Sequence, residues 1–290
     1  MSFQWPSSGL SSSETRQAIR QTILEQIYCA KSGHPGGSLS LVEILGAIFD
    51  GNFVHDAKDP MRADRDRLVL SKGHGVPALY SWLSRMGYFD AKELVHLREF
   101  GHFLQGHPDR SKYPLMEAST GSLGQGASVA LGLALGLKLS FDQKKISRLP
   151  RVYCVLGDGE MQEGQVWECL MAAGKFKPSN LIFILDSNKG QIDGPVAEVM
   201  NLEPIPEKLK AFHWNVLRVD GHNIDAMKTA IQSQTNSSPL PLFIVADTVK
   251  GKGVSFMENQ NKWHGSAPSK DQLEAALKEI LGNTSFGRLV

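Results

Sequence analysis

The chain contains the stretch Val152-Tyr-Cys-Val-Leu-Gly-Asp-Gly-Glu160, a short apolar run rich in β-forming residues that ends in a polar turn. A second run of this kind is Leu181-Ile-Phe-Ile-Leu-Asp-Ser-Asn188, and Asn188 follows Asp158 by 30 positions. Runs that are apolar at nearly every position are typical of parallel strands buried on both faces. The two stretches therefore predict two strands of a parallel sheet.

The polar ends of these strands predict a binding crevice. Ligands of open α/β sheets bind outside the carboxyl ends of the strands, so Asp158 and Asn188 would reach the same crevice. A carboxylate and an amide oxygen suit Mg²⁺ or Ca²⁺, especially a cation that bridges a phosphate ester. Gly157 and Gly159 let the backbone approach such a phosphate, and Gly159 can donate its N–H. A strand end closed by an ordinary Asx-turn is the alternative at this point.

Strand-like and helix-like segments alternate along most of the chain. Further strand-like runs lie at 67–70, 215–219 and 242–246, with helical segments between them. This alternation predicts an α/β fold, a mostly parallel sheet with helices on both faces. The sequence has no internal repeat and no linker, so we expect residues 14–290 to form a single domain after a flexible, Ser-rich tail at 1–13.

Local patterns predict several boundaries within this domain. Ser13 is expected to cap a helix that runs to Ala30. The stretches Ser40-Leu-Val-Glu43 and Ser269-Lys-Asp-Gln272 have the spacing of capping boxes. Residues 101–122 predict a long irregular loop, and loops of that length inside a domain are usually functional or disordered.

Composition narrows the class of function. The chain has 290 residues, is 41% hydrophobic and carries a net charge of +1, so we expect a large core and no binding to nucleic acid. The sequence has no apolar run of transmembrane length, and we expect no membrane association. Three cysteines without metal or redox spacing, and no signal peptide, favour a reducing, cytoplasmic location. Cys154 and Cys169 are expected in the core.

A predicted helix at 124–141 is rich in Gly and Ala. Small residues every few positions allow another helix to approach closely. Tight packing inside the domain and a subunit interface are both consistent with this pattern, and the sequence leaves the choice open.

Six of the nine histidines adjoin a glycine, and they lie in turns rather than in periodic segments. Side chains in such turns can converge on a ligand. Neutral imidazoles can hydrogen-bond sugar hydroxyls or a diphosphate, and imidazoles can move protons near neutral pH. A zinc site is the weaker alternative, because no His-x-x-x-His or Cys-x-x-Cys spacing accompanies them. The six are His34, His74, His102, His107, His222 and His264.

These loops, in this order, resemble the N-terminal, diphosphate-binding half of transketolase. The resemblance extends from about residue 14 to residue 265, which is far more specific than any single motif. The matching stretches are Ser32-Gly-His-Pro-Gly36, Ser71-Lys-Gly-His74, Gly106-His-Pro108, Thr120-Gly-Ser-Leu-Gly-Gln-Gly126, Gly157-Asp-Gly159 with Glu163-Gly164, Asp186-Ser-Asn188 with Ile192-Asp-Gly194, and Trp263-His-Gly265.

The resemblance implies a thiamine diphosphate-binding fold and a role for each matching residue. It implies Mg²⁺, replaceable by Ca²⁺ or Mn²⁺, held by Asp158, Asn188 and the carbonyl of Gly190. It implies that Gly157, Gly159, His74 and His264 meet the diphosphate, and that Gly121 and Leu123 contact the aminopyrimidine. It implies that His34, His107 and His264 face the hydroxyls of the donor sugar, and that Glu163 joins a carboxylate contact across a subunit interface.

Two positions depart from the family pattern. Position 122 is Ser where the family usually has Pro, which loosens the turn. Position 190 is Gly where a branched apolar residue usually packs beside the thiazolium, so the local packing differs. The carbonyl that would ligate the metal is present at Gly190 as at any residue.

The sequence ends at Val290, before any pyrimidine-binding domain of the kind that full transketolases carry. The resemblance thus implies the N-terminal subunit of a split, Mg²⁺-dependent transketolase. With a separate pyrimidine-binding subunit, it would transfer a two-carbon ketol unit from a ketose phosphate to an aldose. Cofactor domains of the family pair around a two-fold axis, which suggests an α₂β₂ assembly. The alternatives are an α-type subunit of a 2-oxo acid dehydrogenase-like enzyme and a non-catalytic cofactor-binding module.

Overall fold

The computed structural model describes residues 3–5, 11–51 and 53–290. The strands are β1 (Arg67–Leu70), β2 (Val152–Gly157), β3 (Leu181–Ser187), β4 (Gly190–Gln191), β5 (Gly194–Pro195), β6 (Asn215–Asp220) and β7 (Leu242–Asp247). The α-helices are α1 (Ser12–Ala30), α2 (Pro35–Leu39), α3 (Val42–Phe49), α4 (Val76–Arg85), α5 (Gln125–Asp142), α6 (Gly164–Phe176), α7 (Val196–Val199), α8 (Ile205–Ala211), α9 (Ile224–Gln232) and α10 (Lys270–Leu281). Short 3₁₀ turns cover Gly73–Gly75, Ala91–His96, Gly159–Gln162 and Asn261–His264.

Five strands form one parallel sheet in the order β1-β2-β3-β7-β6, and β4 and β5 form a separate antiparallel hairpin. Every residue of β2 and β3 is buried, as expected for central strands covered on both faces. Along β2, Tyr153 and Val155 enter one core, whereas Cys154 and Leu156 enter the other. The predicted parallel sheet is confirmed.

Helices cover both faces of this sheet, as predicted. Residues of α1, α3, α4, α9 and α10 build the core on one face, and residues of α5, α6 and α8 build the core on the other. Cys154 and Cys169 lie in the second core, where we expected them. No helix in the described part of the chain is both long and apolar enough to cross a membrane.

The capping box predicted at Ser40 and Glu43 is wrong, whereas the one at Ser269 is present. Helix α3 has no side-chain cap, because its N-cap residue is Leu41, whereas Ser40 lies one residue earlier in a right-handed helical conformation at the end of α2. Ser40 Oγ donates to Asp186 Oδ2 at 2.6 Å, and Glu43 accepts from Arg20 Nη2 at 2.7 Å. A buried carboxylate next to an arginine gains more from the charged pair than from a backbone N–H.

The start of the chain also differs from the expectation. Ser11, not Ser13, caps α1 by accepting from the N–H of Glu14 at 3.2 Å. Within the predicted tail, Phe3 is buried and Trp5 Nε1 donates to Ser84 Oγ at 2.8 Å, so this piece packs on the domain. Residues 1, 2 and 6–10 of that tail lie outside the described residues. The assignment of 14–290 to one domain stays a prediction.

Candidate cofactor and substrate site

A cavity of about 350 Å³ opens at the carboxyl edge of the sheet. This is the edge where ligands of parallel α/β sheets bind. Every residue for which the sequence predicted a role in the site lines this cavity. These residues are His34, His74, His107, Gly121, Leu123, Gly157, Asp158, Gly159, Glu163, Asn188, Gly190 and His264.

Asp158 and Asn188 come together because their strands are in register. Gly157 of β2 pairs with Asp186 of β3, so the residues that follow the two strands emerge side by side. The N–H of Lys189 donates to Asp158 Oδ2 at 2.5 Å, and Asn188 Oδ1 accepts from the N–H of Gly190 at 3.1 Å. Burial, and next the neighbouring Asp186 carboxylate, raise the pKa of Asp158 to about 7. Asp158 is thus a buried carboxylate whose negative charge is poorly balanced by the protein.

A buried ion pair supports this edge, and no local pattern in the sequence predicted it. Lys72 Nζ contacts Asp186 Oδ2, and neither side chain is more than 1% exposed. The same carboxylate accepts from Thr248 Oγ1, and from Asn188 Nδ2 at 3.1 Å. Although burial raises the pKa of Asp186, Lys72 and the hydroxyl donors hold it below its usual value. Since Nδ2 of Asn188 is turned toward Asp186, its Oδ1 faces the side of Gly190.

Four histidines cluster on the other side of the cavity. The ring centroid of His34 lies 5.3 Å from His74, 6.0 Å from His107 and 5.5 Å from His264. Burial first, then nearby cations, lower the pKa of His34 and of His264 to about 4. Burial also lowers the pKa values of His74 and His107. The cluster therefore consists of neutral imidazoles at physiological pH.

Two further cations border the histidine cluster, and sequence reasoning missed both. Lys250 Nζ lies 3.1 Å from His264 Nδ1, and Arg98 Nη2 lies 3.3 Å from His34 Nδ1. Burial, and next the charge of Lys72, lower the pKa of Lys250 to about 8. The glycines that follow Lys250 in the sequence were the available signal for a backbone held close to a ligand. Cations and N–H donors make the cavity suited to an anion.

Lys250 also accounts for the glycine at position 190. A Cβ at Gly190 would lie 3.1 Å from Lys250 Cδ and 3.3 Å from Asn261 Oδ1. These two side chains therefore occupy the space beside Gly190 in which a branched residue would otherwise pack. A glycine at position 190 therefore fits the space that these side chains leave.

Another unpredicted residue, Glu160, connects the loops around the cavity. Its buried carboxylate accepts from Ser71 Oγ, from the N–H of Gly124 at 2.9 Å and from the N–H of Gly157 at 3.1 Å. Gly121, in the same loop as Gly124, has φ +123°, and a Cβ there would lie 2.7 Å from His107 Cδ2. The loop that carries Gly121 and Leu123 thus has its conformation fixed by a glycine and a carboxylate.

The outer rim of the cavity is exposed and partly apolar. Leu123 and Ile192 are exposed apolar residues at the rim, and the exposed carboxylate Glu163 lies beside them. Two of the histidines singled out in the sequence do not line the cavity. His102 Nε2 contacts Glu93 at 3.1 Å, and His222 Nδ1 contacts Glu43 at 3.0 Å. Within the described residues, no three His, Cys, Asp or Glu side chains are arranged around one metal position.

The fold and the cavity define a class of protein: a parallel α/β domain with a cavity, lined by cations and polar groups, at the carboxyl edge of its sheet. Comparison with known families is more specific. Residues 11–286 match the family described as "Transketolase, thiamine diphosphate binding domain". The chain therefore belongs to the transketolase family, and the resemblance seen in the sequence is confirmed.

Relatives of similar length are named as transketolase subunits. The 6-deoxy-6-sulfo-D-fructose transketolase subunit SqwG of Clostridium sp. is 41% identical over 90% of this chain and 93% of its own length. A subunit of the apulose-4-phosphate transketolase of Phocaeicola vulgatus is 39% identical over 90% of each chain. By contrast, the match to human transketolase, at 36% identity, covers 92% of this chain but 41% of the human protein.

Solved structures agree with this assignment. Transketolase from Leishmania mexicana superposes with a TM-score of 0.90 at 28% identity, over 98% of this chain and 43% of that chain. Transketolase from Campylobacter jejuni gives a TM-score of 0.86 at 32% identity, over 94% of this chain and 43% of that chain. The predicted thiamine diphosphate-binding fold is confirmed, and the chain belongs to a family whose named relatives are transketolases or transketolase subunits. The family match favours this class over a 2-oxo acid dehydrogenase-like enzyme.

Proposed function

We propose that the chain is the N-terminal subunit of a split transketolase. It acts with a separate pyrimidine-binding subunit to transfer a two-carbon ketol unit from a ketose phosphate to an aldose. The observation that carries the proposal is the cavity, in which oxygen ligands for a cation lie opposite a set of N–H donors for an anion. Relatives that match along at least 90% of their length are named as subunits, which supports the same proposal.

The cavity fits a diphosphate bridged to the protein by Mg²⁺. Asp158, Asn188 and the carbonyl of Gly190 supply the hard oxygen ligands that Mg²⁺ prefers, and Ca²⁺ or Mn²⁺ can substitute. The raised pKa of Asp158 supports a cation at this point, because a divalent charge would stabilise the ionised carboxylate. The diphosphate would accept hydrogen bonds from the N–H of Gly159 and from His74.

The remaining residues are assigned to the reacting end of the cofactor and to the sugar. Thiamine diphosphate supplies, when bound, the carbon that carries the two-carbon unit. His34, His107 and His264 would donate to donor-sugar oxygens, consistent with their neutral, cavity-lining imidazoles. Gly121 and Leu123 would contact the aminopyrimidine through backbone and side chain. The carboxylate of Glu163, which is exposed at the rim, would take part in a contact across a subunit interface.

We assign the assembly as α₂β₂, in the cytoplasm. Apolar residues on the outer side of α5 and α6 are exposed, among them Val129, Leu139, Met171 and Phe176. Gly132 and Gly136 lie on the same exposed side of α5, with no other atom within 4 Å of an added Cβ. This surface suits the close approach of another polypeptide of the complex. Three free cysteines are consistent with a reducing compartment.

Co-expression with a candidate pyrimidine-binding subunit tests the proposal. The co-purified complex should transfer a ketol unit in the presence of thiamine diphosphate and Mg²⁺, and neither polypeptide should do so by itself. Ketol transfer by this chain without its partner would contradict the split arrangement. Cofactor binding without transfer, across a panel of ketose phosphates, would favour the non-catalytic module instead.

A further inference from the structure

Arg98 lies behind the histidine cluster and does not line the cavity, yet it contacts the central imidazole of that cluster. We propose that Arg98 is a positioning residue: by donating to Nδ1 of His34, it holds this imidazole in the tautomer that carries its proton on Nε2. His34 thereby presents an N–H donor, rather than a basic nitrogen, to an oxygen atom of a ligand in the cavity.

The tautomer follows from the chemistry of the two partners. A guanidinium has only donors, so a hydrogen bond between Arg98 Nη2 and His34 Nδ1, here 3.3 Å apart, requires Nδ1 to be the acceptor. In a neutral imidazole with a bare Nδ1, the proton is on Nε2. No described residue accepts a hydrogen bond from Nε2 of His34, so this donor is left for a ligand.

The environment keeps His34 neutral. The cations Lys72, Lys250 and Arg98 and the imidazoles of His74, His107 and His264 are the charged or titratable groups that face it. A protonated His34 would lose the acceptor that Arg98 uses and would add a charge beside three others. The low pKa of His34, caused by burial and next by Arg98, agrees with the geometry.

The position of Arg98 is itself tightly determined. Its Nη1 donates to Ser32 Oγ at 2.9 Å, and its backbone N–H donates to the carbonyl of Leu104 at 2.8 Å. Arg98 adopts φ +63°, a left-handed conformation that few non-glycine residues take. A Cβ at Gly106 would lie 2.7 Å from Arg98 Nε, so the loop closes directly over the guanidinium. These contacts fix the direction from which the hydrogen bond reaches His34.

Two other histidines of the chain provide internal references for the tautomer of His34. His102 Nδ1 accepts from the N–H of Leu104 at 3.2 Å, so His102 should also carry its proton on Nε2. His222 has the opposite arrangement, because its Nε2 accepts from the N–H of Val249 at 2.9 Å and its Nδ1 faces Glu43. A single spectrum should therefore contain both tautomers.

Long-range ¹H–¹⁵N correlation spectra of the ¹⁵N-histidine-labelled full chain at neutral pH test the proposal, with His34 assigned from its absence in His34→Gln. Wild-type His34 should show a bare Nδ1 and a protonated Nε2. Arg98→Met should shift His34 toward the other tautomer, and Arg98→Lys, which keeps one donor, should largely restore the wild-type signals. Arg62→Met removes an arginine from a surface pair with Asp64 and should leave His34 unchanged. A protonated Nδ1 on wild-type His34, or an unchanged His34 in folded Arg98→Met, would overturn the proposal.

The kinetic consequence rests on the proposed function and is measured separately, on the complex with the partner polypeptide. Loss of one oriented donor should raise KM for the ketose about tenfold in Arg98→Met, with little change in cofactor affinity. His34→Gln, whose amide nitrogen can reach the place of Nε2, should retain more ketose binding than His34→Asn. A wild-type complex without ketol transfer would count against the proposed function, while the spectra would still decide the role of Arg98. If Arg98→Met does not fold, the wild-type tautomer of His34 remains decisive.

Discussion

Lys72 and Asp186 form an ion pair at the carboxyl ends of β1 and β3 in which neither side chain is more than 1% exposed. Lys72 lines the cavity, and the Asp186 carboxylate accepts a hydrogen bond from the amide of Asn188. The pair therefore connects the stability of the sheet edge to the orientation of a proposed metal ligand. An isolated charge at this depth would be very unfavourable, so each partner depends on the other.

Removing one partner should strongly destabilise the chain. We expect Lys72→Met to lower the free energy of unfolding by about 3 kcal/mol, because Asp186 would be left buried without its counter-ion. The matched control is Lys138→Met, which breaks the surface pair with Asp142 and should change stability by less than about 0.5 kcal/mol. Urea unfolding of the three proteins measures both values. Equal stability of the two variants would contradict the importance assigned to the buried pair.

The proposed metal site makes a separate prediction about the cofactor. Asp158→Ala should weaken thiamine diphosphate binding by at least about 100-fold in the assembled complex, because the diphosphate would lose the cation that bridges it to the protein. Calorimetry with thiamine diphosphate, with and without Mg²⁺, measures this loss. Asp142→Ala, on the surface at the end of α5, serves as the control. Unchanged affinity in Asp158→Ala would exclude the assigned metal ligand.

The neutral histidines predict how the stability of the folded chain changes at acidic pH. The pKa of His34 and of His264 is lowered from 6.5 to about 4, so the unfolded chain takes up protons below pH 6.5 that the folded chain takes up only near pH 4. The stability associated with these residues is thus complete above pH 6.5 and is lost as the pH falls toward 4.

A double variant isolates this effect. Between pH 6.5 and 4, wild type should lose about 1 kcal/mol more per histidine than His34→Gln/His264→Gln, a value reduced to allow for their partial exposure. Asp158, whose pKa is raised to about 7, acts in the opposite direction but is present in both proteins. Denaturant unfolding at several pH values gives the two curves. Parallel curves would show that these imidazoles titrate alike in the folded and unfolded states.

The sequence was sufficient to predict the parallel sheet and most of the residues that line the cavity, and the physical reason is clear. Strands that are apolar throughout must be covered on both faces, and parallel strand ends share one edge. The separation of Asp158 and Asn188 therefore predicted their meeting. The turns with His34, His74, His107 and His264 each combine a histidine with a glycine, and all four histidines line the cavity, whereas the same combination at His102 and His222 lies outside it.

The residues that were missed depend on contacts between distant loops. Lys72 and Asp186 are 114 positions apart, and Arg98 and His34 are 64 positions apart. No local periodicity predicts which buried charges will be neighbours. Ser40 shows the same limit, because it has the spacing of a capping box but lies one residue before the N-cap of α3, and its hydroxyl donates to the distant Asp186. Buried polar partners override local helix signals when they would otherwise be unsatisfied.

The exposed face of α5 makes the last prediction, which concerns assembly. Gln125, Val129, Gly132, Gly136 and Leu139 form an exposed stripe along this helix, and glycine is unfavourable inside a helix unless small size is needed. An added Cβ at Gly132 or Gly136 would meet no neighbouring atom within 4 Å. Because alanine favours the helix and would fit without a clash, Gly132→Ala should stabilise the isolated chain by about 0.5–1 kcal/mol.

Gly132→Phe should have a different effect on the complex. The bulky ring would be tolerated by the isolated chain, which has open space at this position, but it would prevent close approach of a second copy. Ala275→Phe is the matched control, because Ala275 is an exposed residue of α10, a helix that packs on the opposite face of the sheet. Light scattering on the co-purified complex should give the mass of an α₂β₂ assembly for wild type and Ala275→Phe, and a smaller species for Gly132→Phe. If Gly132→Phe instead assembled like wild type, the stripe on α5 would not be the contact between the two copies, and its glycines would need another explanation.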